Sequence, residues 1–200
     1  MRLKAIVILF LSAQSLLAQI AEGAFHVTWT TLKPTYTDFV SKTSSRGVRI
    51  GYTKFINEKF GVGIEGGYSV LDDYVPLQTY EIPGGAFTTD VYNYMYYYSL
   101  TANGHYYIKT SELFMPYAGL IMGAGFTDYT IFYNVYSDSD TNASFLVRPE
   151  IGMMYRFSRY SGFGLKAAIG FDYATNKSNQ FELSNFSGVS LQIGIVLISH

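Results

Sequence analysis

From Phe163 onward, apolar residues take every second position: Phe163, Leu165, Ala167, Ile169, Phe171 and Tyr173 alternate with Gly164, Lys166, Ala168, Gly170 and Asp172. A period of two predicts a strand with one hydrophobic face. The opposite face is small or charged, which a sandwich core tolerates badly. An apolar exterior in lipid around a narrow polar lumen tolerates it well, and that is the pattern of a transmembrane β-barrel.

The same alternation predicts eight extended segments. The first runs from about His26 to Val40, interrupted at Lys33-Pro34, where a bulge or rim is expected. The second covers Arg46 to Ile56 and the third Phe60 to Leu71, joined through a tight Asn57-Glu58-Lys59 connection. Asp72 to Thr89 reads as a long loop because it holds Pro76, Pro83, Gly84 and Gly85. Segments four and five span Asp90 to Ile108 and Leu113 to Tyr133. Asn134 to Asn142 reads as a second long polar connection, followed by segment six, Ala143 to Phe157. After segment seven, Thr175 to Ser184 loops out, and the eighth segment runs from Gly188 to Ile198. Brief connections thus alternate with long ones after the first, as short periplasmic turns alternate with extracellular loops in an outer-membrane barrel.

Composition narrows the class. Charged residues make up only 14% of the chain, well below the usual quarter, while Tyr numbers 19, Phe 15 and Gly 19. Aromatics suit interface belts and glycine suits a crowded lumen. A formal net charge of −1 and the lack of a basic run argue against nucleic acid as a partner. Arg2 and Lys4, then the apolar stretch Ala5 to Leu17, predict a signal peptide over residues 1–18, cleaved between Ala18 and Gln19. The barrel domain is then 19–200. With no Cys, disulfides, thiolate metal sites and a lipidated N-terminal cysteine are excluded.

On these strands, this loop parity and this leader, the chain resembles the small bacterial outer-membrane barrels of the OmpA/OmpX type, more closely the bacteroidete-like outer-membrane β-barrel domain proteins. The resemblance implies an all-β, eight-stranded antiparallel up-and-down transmembrane barrel in the bacterial outer membrane. It also implies outer-membrane lipid and the barrel-assembly machinery as partners. Such barrels usually end on an aromatic residue that the assembly machinery reads, whereas this chain ends Leu197-Ile198-Ser199-His200.

Parity puts six charges on lumen positions: Arg49, Glu65, Arg148, Glu150, Lys166 and Asp172. Buried charges need partners, and an eight-stranded barrel is just wide enough for side chains to fill it. These residues are therefore expected to form a salt-bridge plug, with a narrow solute conduit as the alternative. Segment four, at nineteen residues (Asp90 to Ile108), extends ~60 Å and, tilted, rises ~40 Å, more than a membrane strand of about 9–11 residues requires. Its Tyr-rich part should protrude. Tyr92, Tyr94 and Tyr97 are the candidate surface-interaction residues, for strand addition or adhesion to an extracellular ligand or host surface, while Tyr96 and Tyr98 suit the aromatic girdle.

Other motifs carry less. His105 lies on the lumen side with Ser99 and Glu65 as conceivable partners, but no catalytic constellation, cofactor fingerprint or metal-ligand spacing stands out. Gly61-Val62-Gly63-Ile64-Glu65-Gly66 has dinucleotide-fingerprint spacing but follows a turn and leads into a strand, the wrong context. Asn142, Asn176 and Asn185 sit in N-x-Ser sequons, and Asp138 and Asp140 could hold Ca²⁺ loosely. The reading is an integral outer-membrane protein with a structural or surface-interaction role. A soluble lipocalin-like ligand-binding barrel, with the faces reversed, is the least favoured alternative.

Overall fold

The computed structural model describes residues 23–199 apart from 38, 83, 109–112, 135, 159–160, 179 and 182. The expected leader, its cleavage point and the terminal His200 lie outside the described residues. Eight strands form: β1 Gly23–Tyr36, β2 Ser44–Phe55, β3 Phe60–Ile82, β4 Gly85–Tyr107, β5 Phe114–Tyr133, β6 Tyr136–Arg156, β7 Phe163–Ala174 and β8 Phe186–Ser199. Each pairs antiparallel with its neighbours, and β8 closes the ring against β1 from Gly23↔Ser199 to Tyr36↔Ser187. Closure satisfies every strand edge inside lipid, where an open edge would leave backbone groups without water.

The alternation holds around the ring. On β7 the odd residues from Phe163 to Tyr173 are exposed except the half-buried Ala167, and the even residues from Gly164 to Ala174 are all buried. The lipocalin-like reading requires the reverse and falls. Outward aromatics form one row near the short turns, Phe60, Tyr106, Phe114, Tyr155 and Phe163, and a second farther along the same strands, Tyr68, Tyr98, Phe126, Phe145 and Phe171. Between the rows lie aliphatic residues such as Ile64, Leu100, Leu120, Ile151 and Ile169. An apolar band between two aromatic girdles marks the lipid-facing zone.

Two expected loops are strand instead. β3 and β4 continue past Asp72 and Thr89 and meet at Ile82↔Gly85, where Gly84 has φ 96°. Pro76 is accommodated at a bulge between Val75 and Gln78. β5 and β6 likewise continue through Asn134–Asn142 to Tyr133↔Tyr136, with Asn134 at φ 54°. Both are two-residue hairpins whose left-handed residue suits Gly or Asn. β1 stops at Tyr36, short of the expected Val40, and Phe39 and Val40 fold inward instead. Register shifts on both sides of β1 accommodate Lys33-Pro34.

Candidate functional site

All six charges expected in the lumen are buried and joined. Arg148 on β6 is the centre: it donates to Glu65 on β3, and its Nε lies 3.3 Å from Glu150 Oε2 and its Nη1 3.5 Å from Asp172 Oδ1. Arg49 Nη2 donates to the same Asp172 oxygen at 2.9 Å, and its Nη1 to Ser190 Oγ at 3.3 Å. Lys166 Nζ lies 3.7 Å from Glu150 Oε1 and 5.7 Å from the centre of the Tyr117 ring. Glu150 also accepts from the Tyr117 hydroxyl at 2.7 Å and from Gln192 Nε2 at 2.6 Å. Three cations face three carboxylates, so the charges offset one another where no water screens them.

His26 belongs to this network although sequence reasoning left it at the start of the first strand. Its Nε2 stands 3.2 Å from both Glu65 Oε2 and Lys166 Nζ, donating to the first or accepting from the second according to tautomer. The parity shared with Thr28 and Thr30, both buried on β1, is the signal that points to it. His105 does not meet Glu65. Its ring lies 4.5 Å from the Tyr117 ring, tilted by 46°, and neither ring nitrogen has a hydrogen-bond partner.

Apolar layers close the lumen on both sides of these charges. Toward the short turns lie Ala24, Tyr107, Met115, Tyr117, Met154, Val196 and Ile198. Toward the far end lie Leu32, Leu71, Met95, Tyr97, Tyr129, Leu146 and Phe186, joined by Phe39 and Val40 from the β1–β2 connection and by Phe181 and Leu183 from the β7–β8 connection. Tyr97, expected at the surface, is therefore a lumen residue. Odd positions on β4 face inward, and Tyr97 packs 5.5 Å from the Phe186 ring.

Those two connections are flaps pinned by carboxylates. Asp73 Oδ2 accepts from the Ser41 amide at 3.0 Å and its hydroxyl at 2.6 Å, and Lys42 Nζ is 3.0 Å from Asp73 Oδ1. Asn93 donates to the Phe39 carbonyl at 2.9 Å. On the other flap, Ser178 donates to Asp140 at 2.5 Å, and the buried Asn176 amide donates to Thr127 and to the Tyr129 hydroxyl. Both carboxylates lie beyond the second aromatic row, outside the lipid band. Burial alone would raise Asp73, but the Ser41 and Lys42 contacts outweigh it and hold the carboxyl below the usual range. Hydrogen bonds from Ser178 and Asn142 do the same for Asp140. Asp140 is thus engaged by its own chain, and the Asn176 sequon is buried rather than displayed.

Strand length makes the molecule lopsided. β1, β2, β7 and β8 have 12 to 14 residues, whereas β3, β4, β5 and β6 have 20 to 23. Past Val70 on β3 no β2 partner remains, and β7 pairs with β6 only from Leu146 onward. The excess forms a four-stranded overhang at the end opposite the short turns. The flaps cover the lower part of its inner face, at Asp73, Asn93, Tyr129 and Asp140. Its outer face carries Tyr92 and Tyr94 among other rings and is bare.

The family model for the outer membrane protein beta-barrel domain matches residues 4–196. The chain belongs to that family. This outer membrane protein β-barrel is a protein of the bacterial outer membrane. Among solved structures it is similar to Neisserial surface protein A, at 16% identity, covering 88% of this chain and 97% of that one, with a TM-score of 0.54. It is also similar to Ail, the attachment invasion locus protein of Yersinia pestis, at 15% identity, covering 89% and 100%, with a TM-score of 0.49. OprG from Pseudomonas aeruginosa gives 16% identity, 90% and 97% coverage and a TM-score of 0.49. At such identity the likeness to the Neisserial barrel is one of fold. No curated protein matches the chain.

Proposed function

We propose that this outer-membrane barrel is sealed and that it works at the cell surface, through the β3–β6 overhang. The carrying observation is the difference in strand length. Twenty-three residues of β4, at ~3.3 Å each and ~45° tilt, rise ~54 Å, about twice the ~25 Å apolar band of such barrels. Short turns face the periplasm in these proteins, so the overhang stands outside. Building ten extra residue pairs beyond the membrane serves contact, not anchoring. A narrow conduit fits less well, because Arg148 and Lys166 are fully buried between two apolar layers.

The test trims the overhang. Asp73 and Asn93 are paired across β3 and β4, so an Asn-Gly turn joining them removes residues 74–92 without changing the register below. Cells carrying the trimmed barrel should adhere less to host cells and matrix than cells carrying the wild type at equal surface abundance. Equal adhesion contradicts the proposal.

A further inference from the structure

The outer face of the overhang has a composition unlike the lipid-facing band that it continues. Even positions of β4 put Tyr92, Tyr94 and Tyr96 in one row on this face, continuing upward from Tyr98 of the second aromatic girdle. Across the ladders, Tyr98 pairs with Tyr68, Tyr94 with Asp72, and Tyr92 with both Tyr74 and Phe132. Ring centres lie close: 4.9 Å for Tyr68–Tyr98, 4.7 Å for Tyr74–Tyr92, 6.1 Å for Tyr94–Tyr96 and 5.7 Å for Tyr94–Phe132. Carboxylates are set among them: Asp128 is opposite Tyr96, and Asp90 shares the parity of Tyr92.

The charge on this part of the chain has one sign. Residues 71–98 and 126–145 contain Asp72, Asp73, Glu81, Asp90, Asp128, Asp138 and Asp140, with no Lys, Arg or His. Two of the seven are paired with cations from elsewhere, Asp72 with Arg46 and Asp73 with Lys42. Asp90 and Asp128 have no cation beside them among the described residues.

We infer that the outer face of the overhang docks an extended, arginine- or lysine-rich polypeptide segment of a partner protein. This rests on the surface-interaction reading above and adds the chemistry of the partner. Tyrosine rings attract cations over their faces, and Asp90 and Asp128, which are hydrogen-bonded to Tyr74 and Thr130 but have no cation beside them, supply the counter-charge. Side chains on one face of an extended peptide repeat every two residues, at the same spacing as the tyrosine row, so alternate basic residues fall over successive rings. Acyl chains are disfavoured by Asp72, Asp90 and Asp128, and a polyanion is repelled by all of them.

The experiment uses the full barrel in phosphatidylcholine nanodiscs and a fluorescein-labelled deca-arginine peptide, read by anisotropy, with labelled heparin as the polyanionic counterpart. The peptide should bind, heparin should not, and added salt should weaken the complex. Asp90→Asn with Asp128→Asn, and separately Tyr92→Leu with Tyr94→Leu, should each weaken binding about tenfold, as two lost ion-pair or ring contacts imply. Glu58→Gln, in the β2–β3 turn at the opposite end, should change nothing. Heat-dependent gel mobility establishes that each variant is folded. No peptide binding, unchanged binding in either double variant, heparin binding, or self-association through this face in sedimentation overturns the inference. If adhesion still falls on trimming 74–92, only the partner chemistry is wrong; if adhesion is also unchanged, the surface-interaction reading fails with it.

Discussion

Arg148 on β6 and Glu65 on β3, separated by 83 positions in the chain, meet across the lumen in a fully buried ion pair. The same guanidinium faces Glu150 and Asp172. One side chain therefore bridges carboxylates from three strands, with Arg49 and Lys166 completing the charge balance, and the interior of the barrel is organised around it. Much of the apolar surface that a soluble protein would bury has moved to the lipid side, and polar pairing between two apolar layers holds the middle of the lumen together.

Removing that side chain leaves three buried carboxylates to share Arg49 and Lys166, one negative charge in excess in low dielectric. Breaking a buried pair on one side costs about 3–5 kcal/mol, because the remaining charge is left uncompensated. Arg148→Ala should lower the urea midpoint of the micelle-bound barrel accordingly. Glu150→Gln with Lys166→Met, which removes one charge of each sign, should cost much less. An Arg148→Ala barrel that unfolds at the wild-type urea concentration contradicts this account of the plug.

Closure depends on close backbone approach at the β8–β1 seam. Gly194 pairs with Thr28 across that seam, and a Cβ there would stand 2.0 Å from the Val27 carbonyl oxygen. Backbone cannot yield as a flexible side chain can. Gly194→Ala should reduce the fraction of protein showing the compact, unboiled gel mobility of a closed barrel, and undiminished mobility shift contradicts the seam geometry.

The flaps should loosen in acid. Asp73 and Asp140 have carboxyls held below the ordinary value by their flap contacts. A depressed carboxyl stabilises the native state fully above its unfolded value, about 3.9, and loses that contribution as pH falls through the lower folded value. Amides of residues 39–43 and 176–178 should therefore exchange faster relative to the strands below about pH 3.9 than at neutral pH, after correction for intrinsic rates. Asp73→Asn should loosen only the first flap at neutral pH. Flap protection that is independent of pH contradicts the tethering role.

The membrane half was legible in the sequence because lipid on one side and a crowded lumen on the other force strict alternation. Parity alone placed Arg49, Glu65, Arg148, Glu150, Lys166 and Asp172 on the inside. Beyond the membrane both strand faces can be polar, so Thr79, Thr88, Ser137 and Ser139 carry no hydrophobic period, and Pro76, Pro83 and Asn134 read as loop. Yet these segments pair to their tips. Arithmetic on strand length signalled the protrusion where pattern did not, while Tyr97 was placed against its own parity. The flaps were not legible, because Phe39 reads as part of the first strand and Phe181 lies in a connection with no periodic signal, yet both pack onto Tyr129.

On the function proposed above, charge pairing seals the lumen and the overhang carries the role at the cell surface. Planar-bilayer recording of the folded wild-type barrel tests it most directly. A baseline without discrete steps, in protein that shows heat-dependent mobility, is the predicted result. Stable unitary currents from that same protein would contradict it and restore the conduit.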